Sequence, residues 1–524
     1  MEVSKYIDQA KKKPWTRLVR DTSPNNPTGV KLAVMTQQDF LNEVCSAAHE
    51  INSPKMSRRP IYGPSPQGEK DSKGREKWVI VGYDDVETVP VSKQWEIISK
   101  KVSHFAADGF WTASESGDEE AFQRMMSWAD TAGVKTAFIE AMWHAMRTGD
   151  SAIYLYQTDD KDDPIQYEVY GYEEGSTLYP QEDFNGKKSL ARKYKFNNHD
   201  AVDIFTPEKI ETWMHIEEND PDYRQFVEEG KEPEEKSSDG YIRVRSKSSQ
   251  AGNLCQCVYF RFNDIPTGPV QPAIEKLEDA KTYVGEHLKG TSMPILFMKA
   301  EKTTSLPPSS LANKAIGVKG TADSLAHADA KFIAPPDASN IADLHIDGLE
   351  SDIRDGAMSV KIDPEIIKQG SDSSATMKVL YAPEVQWAQI HWPEVFKSVK
   401  QLMLVFKALV GKVEENPKRY NDMRISVGQN IYIPQNEAEA LKMELDQVYA
   451  RVKSRKAAME DIGNSHVGDG GQITKEWMEE LTMKAEAPAK AKAKFGTDSS
   501  TFGGDDSNNP AKVNNQATGK TIQE

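Results

Sequence analysis

The spacing of apolar residues changes twice along this chain, and each change narrows what it can fold into. From Lys93 to Phe105 and again from Glu119 to Arg147 the spacing is helical, with Phe122, Met126, Phe138, Met142 and Met146 recurring at intervals of about four. Gly149 predicts the end of the second helix, as a glycine past the last turn commonly does. Beyond it the period is two. SAIYLYQ, IQYEVYGY, ARKYKF and AVDIFTPEKIETWMHI read as consecutive strands of an antiparallel meander with one wet face, and YIRVRSK and CQCVYFRF close that sheet. After Pro266, Pro269 and Pro272 the helical spacing returns. Helices, then a block of antiparallel strands, then helices again make an α+β protein.

Ahead of the first long helix, Gln37 to Ile51 reads as helix, SPKMSRRPIYGPSPQGEKDSKG as loop and WVIVGY as a short strand. An acidic spacer at 217–239, with ten acids against three bases, reads as an exposed loop. In AIEKLEDAKTYVGEHLK the residues Ile274, Leu277, Val284 and Leu288 form one stripe. In IADLHIDGLESDIRDGAMSV, Ile346, Leu349 and Ile353 do the same. Two helices bracketing a compact insert, with a strand at MPILFMKA, predict a hairpin-shaped projection. A polar loop, DPEIIKQGSDSSATMK, leads to a long helical pattern through Ile390, Val395, Val399, Leu402, Phe406 and Leu409, where Pro383 and Pro393 predict a break or kink. SVGQNIYIP reads as a strand, EAEALKMELDQVYARVKSRKAAMEDI as a further helix, and the chain from about Ala485 as disordered low-complexity sequence.

Composition sets the outer limits. The chain has 524 residues, of which 38% are hydrophobic and 28% charged, with ten Trp, seventeen Phe and eighteen Tyr. That aromatic content excludes a generally disordered or collagen-like chain. The net charge of -16 argues against a protein whose main business is gripping phosphates, although an acidic protein can handle DNA that must slide. Three cysteines, Cys45, Cys255 and Cys257, make no disulfide framework and suit a reducing compartment. No apolar run approaches the ~20 residues of a membrane span. The expectation is a soluble protein, neither secreted nor anchored in a membrane.

Signals for catalysis are weak. GVKGTADS at 317–324 lacks the spacing of a phosphate loop, there is no HExxH, and the ten histidines are scattered. His144 and His391 read as packing residues, and Cys255 and Cys257 as structural thiols, since a metal site would need two more ligands. Acid pairs are what chance supplies among 81 acids, and GSDSSA has no nucleophile elbow around it. The expectation is a protein that is not an enzyme and needs no metal or cofactor.

The order of these segments resembles the portal proteins of tailed double-stranded-DNA bacteriophages. AMWHAMRTGDSAIYLY is similar to that family's step from a helix into the wing sheet, and FTPEKIETW to the family's strand-and-turn phrase further along. PVQPAIEKLEDAKTYVGEHLK resembles a first stem helix and NIADLHIDGLESDIRDGAMSV a second, with a clip between them. KIDPEIIKQGSDSSATMKVLY falls where portals place the tunnel loop, and IYIPQNEAEALKMELDQVYARVKSRKAAMEDIG is similar to their C-terminal region. The likeness covers about residues 90–483.

It implies a division into an N-terminal arm and wing periphery (1–90), a wing with antiparallel sheet (91–268), a first stem helix (269–290), a small α/β clip (291–337) and a second stem helix (338–362). A tunnel loop (363–378), a long wing helix (379–433), a helical crown (434–483) and a disordered tail (484–524) complete it. The resemblance also implies a ring of about twelve copies at one capsid vertex. That ring would be the channel for genome packaging and ejection and a docking platform for terminase. The further partners would be the major capsid or scaffolding protein, head-completion or adaptor proteins, and the DNA in the channel. Assembly would take place in the host cytoplasm and the final location would be the virion.

Gln369, Ser371, Asp372, Ser373 and Ser374 would then sit at the narrowest point, with Lys361 and Lys368 as transient phosphate contacts; an ordinary connecting loop is the alternative. Asp343, Asp347 and Glu350 share one stripe of the second stem helix, which suits either a negative channel wall or a solvated face. Competing functions are another ring-forming adaptor or minor head protein, a packaging nuclease-ATPase, and a cytosolic scaffold. The first would lack the helix–insert–helix segment, the second needs a phosphate loop and clustered acids, and the third would not close into a large ring.

Overall fold

A computed structural model of the chain describes residues 2–8, 12–20, 30–45, 49–52, 58–64, 78–85, 88–115, 118–161, 163–182, 186–217, 220, 236–291, 295–300, 315–319, 330–333, 339–360 and 379–431. Contacts within the chain divide it into two units: Met1–Ser371 with Ala375–Pro434, and Asp372–Ser374 with Gln435–Glu524. All described residues belong to the first unit. It is built of helices and mainly antiparallel sheets, the α+β class read from the sequence.

The helices are α1 (Gln37–Val44), α2 (Lys93–Ala106), α3 (Glu119–Thr131), α4 (Val134–Thr148), α5 (Gln271–Thr291), α6 (Ser339–Gly356), α7 (Ala382–Val413) and α8 (Pro417–Asp422). The single helical run expected from Glu119 to Arg147 is therefore two helices. Gly133 divides them with φ of 65°, a left-handed conformation that glycine adopts without steric cost. Gly149 ends α4 as expected, at φ 91°, and its missing side chain leaves room for the Trp15 ring, which a Cβ there would meet at 2.7 Å. The expected break in the long helix is absent: α7 runs unbroken through Pro393, and Pro383 occupies the first turn, where no intrahelical donor is lost. Pro393 is tolerated because Val395, Val399, Leu402, Phe406 and Leu409 beyond it are all fully buried and hold the second half of the helix in the core. Lys407 stays among them by donating to Met423 O at 2.9 Å and Asn421 O at 3.4 Å.

The strands correct a second expectation. What reads as one meander is two sheets. Asp150–Gln157, Ile165–Gly171 and Cys257–Arg261 form a three-stranded sheet, with the last strand paired to the first across roughly a hundred residues. Thr177–Glu182, Lys188–Phe196, His199–Phe205, Lys209–His215 and Tyr241–Ser248 form a five-stranded antiparallel sheet in chain order. Period two reports that a strand has a dry face; it does not say which neighbour supplies the hydrogen bonds. The two sheets share a buried cluster of Ala152, Tyr170, Leu178, Leu190, Phe205, Cys255 and Cys257, with Tyr154 stacked beside Tyr170.

Further pairings were missed. Arg58–Pro64, expected as loop, is a strand antiparallel to Trp78–Asp85. A two-stranded sheet has only edges, so prolines can face away from the single ladder. Trp15–Arg20 pairs with Val30–Met35, and Phe110–Ser114 with the expected strand at Ile425–Gln429. The largest core joins α2, α3, α4 and α7 to the three-stranded sheet through Phe105, Phe138, Phe260, Phe262, Trp387 and Phe406. Several of its aromatic rings meet edge to face, as Phe138 does with Phe110 at 5.4 Å and Phe260 at 6.1 Å, while Phe262 stacks on Trp387.

Candidate functional site

Helices α5 and α6 pack on each other along the two predicted stripes. Ile274 and Leu277 meet Leu349, Ile353 and Ala357, and Ile97 of α2 and Val270 join the same buried cluster. Between the two helices in the chain stand three short strands, Ile295–Ala300, Ala315–Lys319 and Ala330–Ile333. The first is central, parallel to the second and antiparallel to the third. The helices thus carry a small sheet at one end of the pair and are locked by α2 at the other.

That lock has a polar centre. Lys101 extends from α2 with its side chain wholly buried, and its ammonium donates to Glu384 Oε2 at 2.7 Å and to Met358 O at 2.8 Å. The same Glu384 accepts from the backbone N–H of Val360 through Oε1 at 3.3 Å. Met358 ends α6 at φ 51°, with Met358 N donating to Asp355 O and Ser359 N to Arg354 O. This is the reverse turn that usually places glycine at the left-handed position. Glu384 lies in the first turn of α7, where a carboxylate also meets the positive end of the helix dipole. Burial lowers the Lys101 pKa, and Glu384 opposes that shift.

The structure brings only some of the predicted site residues together. Lys361, Lys368, Gln369, Ser371, Asp372, Ser373 and Ser374 lie outside the described residues, between Val360 and Val379. Asp343 and Asp347 are exposed on α6. Glu350 is half-buried instead and accepts from Lys281 of α5 at 2.9 Å, which lowers its pKa. The acid stripe is therefore partly neutralised by the neighbouring helix. A cleft of about 590 Å³ between α2 and α6 brings Asp347 and Glu350 together with Lys93, Lys100 and Arg354. Sequence reasoning missed Lys101, although a signal was present: Ile97, Lys101 and Phe105 recur at four on the buried side of α2.

The cysteines and the two histidines weighed as chemistry lie in packed or paired surroundings, while GSDSSA lies outside the described residues. Burial pushes the Cys255 thiol up to about 11 and that of Cys257 well above its ordinary value, so both stay protonated. His391 packs on Trp387 at 4.4 Å and pairs with Glu394 at 3.0 Å, while His144 sits 3.5 Å from both Glu173 and Glu174. Among the described residues no group of three or more His, Cys, Asp or Glu is placed to hold a metal ion, and no described helix is long and apolar enough to cross a membrane.

A second cavity, about 540 Å³, lies beside α1 and α5 and is lined by Glu43, His49, Glu275 and Glu278 among others. Burial pushes Glu43 up to about 7 in spite of its ion pair with Arg17. Between the ordinary glutamate value near 4.3 and about 7, the folded chain keeps a proton that the unfolded chain releases. Stability at this site is therefore greatest below the unfolded value, declines as pH rises to about 7, and is level above it. Urea unfolding at pH 5 and pH 7.5 is expected to show a loss of about 2–3 kcal/mol from this group. Glu43→Gln should flatten the pH profile by that amount relative to the parent protein. An identical profile in the variant would rule out Glu43 as the source.

A family model described as "Phage portal protein, SPP1 Gp6-like" matches residues 87–486. No curated protein matches the chain. Among solved structures, a chain from the virion of a native gene transfer agent particle aligns at 9% identity and a TM-score of 0.36, over 69% of this chain and 85% of that one.

Proposed function

The chain belongs to the phage portal protein family, SPP1 Gp6-like, and on that premise we propose that it forms a head-to-tail ring of about twelve copies at one capsid vertex, through which the genome is packaged and ejected. The family match over residues 87–486 carries this reading, since it spans the two larger sheets, the helix–sheet–helix segment and the long helix α7. In the reading, residues 1–90 are an arm and wing periphery, 91–268 the wing, and 269–290 with 338–362 the stem. Residues 291–337 are the clip, 363–378 the tunnel loop, 379–433 the long wing helix, 434–483 the crown and 484–524 a tail.

The architecture supports that division. An antiparallel helix pair with its own sheet at one end and a buried lock at the other suits a stem bearing a clip. The clip is the face offered to terminase and to adaptor proteins, and the wing meets the capsid or scaffolding protein. Duplex DNA runs along the stem. Exposed Asp343 and Asp347 keep such a wall from gripping phosphates, and Lys361 and Lys368 supply the brief contacts. Gln369, Ser371, Asp372, Ser373 and Ser374 follow the moving duplex at the narrowest point. The protein performs no catalytic step in this scheme; the energy for transport comes from the terminase. The test is the assembly state of the purified full-length protein, in which closed rings with an axial channel are expected and a monomer that never closes on capsid components would refute the reading.

A further inference from the structure

We propose that the cavity of about 540 Å³ beside α1 and α5 is a binding site for an aliphatic ammonium ion, with a short diamine as the class that fits it best. The proposal goes beyond the portal reading and does not depend on it, since every residue it uses belongs to one chain. Three walls define what the cavity takes. Helix α1 supplies Asp39, Asn42 and Glu43. Helix α5 supplies Gln271, Glu275, Glu278 and Asp279, whose spacings of three and four put them on one face. The hairpin of Trp15–Arg20 and Val30–Met35 adds Val19, Ala33 and Met35. Among the described lining residues five acids face two basic side chains, His49 and the exposed Lys31 at the rim, so the cavity favours a cation.

Acceptor capacity says more than charge. Asp39 is engaged in the cap of α1, where it accepts from Thr36, and Glu278 accepts from the N–H of Val91 and faces His49. Gln271 differs: it lines the cavity, is 2% exposed, and its Oε1 accepts no hydrogen bond from any described residue. Glu43 Oε2 is likewise buried without a hydrogen-bond partner, while Oε1 pairs with Arg17, which is not part of the lining. Leaving a buried acceptor unmade is unfavourable, so two of them at one cavity mark where a donor belongs. An ammonium carries three donors and no acceptor, and its methylenes suit Val19, Ala33 and Met35. Because the carboxylates come from two helices, a short diamine can offer one ammonium to each. A metal ion matches less well, since among the described residues no group of three or more His, Cys, Asp or Glu is placed to hold one. The state of Glu43 agrees. Burial, with Glu275 and Asp264 nearby, pushes it up to about 7 against the pull of Arg17. A bound ammonium favours the carboxylate, so binding below that value expels the Glu43 proton. The charged groups facing Glu43 are thus Arg17 from the hairpin, Asp264 from the turn before α5, and the acids, Lys31 and His49 of the cavity wall.

Calorimetric titration of the full-length protein with butanediamine tests the proposal, with butanediol and magnesium ions as comparison ligands. One diamine per chain, with a Kd below about 1 mM, is expected at about pH 7.5 and low ionic strength. Butanediol, the same chain without charge, should not bind. At about pH 6, titrations in buffers of different ionisation heat should show the release of about one proton on binding. Glu43→Gln is expected to weaken binding roughly tenfold to a hundredfold and to abolish that release, and Gln271→Met to weaken binding while the release persists. Acetyl-lysine amide distinguishes the source of the ammonium. Binding as tight as the diamine's supports a lysine side chain as the natural ligand, and much weaker binding supports a free diamine. Absence of saturable diamine binding, equal affinity for magnesium, or unchanged binding in Glu43→Gln would each overturn the proposal. Should that variant fail to fold, the unaltered protein decides, because diamine binding at about pH 6 without proton release overturns it as well.

Discussion

Deletion of residues 295–335, with a short flexible linker in their place, is expected to leave ring formation largely intact and to abolish DNA packaging. Among the described residues the three strands in this stretch pair with one another and with no other strand, so removing them together leaves no unmatched edge there. The helices on either side do not depend on them. Their contact is made by Ile274, Leu277, Leu349, Ile353 and Ala357, and it is anchored by Ile97 and Val270 in the remainder of the unit. What disappears is the surface assigned to terminase. Rings would be scored by electron microscopy of the purified variant, and packaging by the fraction of particles that protect DNA from nuclease. A variant that no longer forms rings would show that the insert holds neighbouring subunits together, and the assignment of 291–337 as a clip would fall.

The second large effect concerns the N-terminal segment. Lys12, on the arm that precedes the first strand, is buried against Asp150 at 2.6 Å, with side chains 2% and 0% exposed. Asp150 also accepts from Gln37 at 2.6 Å and from the Tyr259 hydroxyl at 2.7 Å. Trp15 next door donates to Phe262 O, and Arg261 to Lys13 O. This N-terminal segment is thus bound to the three-stranded sheet of the same chain. Lys12→Met leaves a carboxylate in the interior with only uncharged donors, which is expected to cost about 3–5 kcal/mol. Urea unfolding should show that loss, and limited proteolysis should release the arm. Pairing the change with Asp150→Asn should restore most of the stability, because no ion is then left unpaired. A loss under about 1 kcal/mol for Lys12→Met would mean that the ion pair adds little and that the segment is held by packing and by the Trp15 and Arg261 hydrogen bonds.

Much of this fold was legible because its long elements have strong periods. The spacing gives one apolar stripe on each helix of a hairpin-shaped projection, and Ile274 and Leu277 of the first meet Leu349 and Ile353 of the second. Gly149 was read as a helix end and takes the left-handed conformation that such an end requires. The misreadings share one cause, which is that local pattern does not encode the distant partner. Cys257–Arg261 reads as the next strand of a meander, yet it pairs with Asp150–Gln157. Arg58–Pro64 has the composition of a loop and becomes a strand because Trp78–Asp85 offers it a ladder. Pro393 predicts a break or kink, and no break occurs because the buried residues after it keep the helix continuous.

The candidate site divides along the same line. The exposed acids Asp343 and Asp347 could be placed on one stripe from spacing alone, while the withdrawal of Glu350 toward Lys281 depends on a helix 69 residues away. Lys101 is a charge on an apolar stripe, but nothing near it in sequence names Glu384 or the Met358 carbonyl as its partners. The order of the segments was legible in their periods, and the described structure supplies which of them pack together.

Electron microscopy of the purified full-length protein, with its mass measured by light scattering, tests the central claim most directly. Closed rings with an axial channel and a mass of about twelve subunits of 58.6 kDa each are expected. A compact dimer with nuclease or ATPase activity, or a monomer that fails to form rings even with capsid components present, would contradict it.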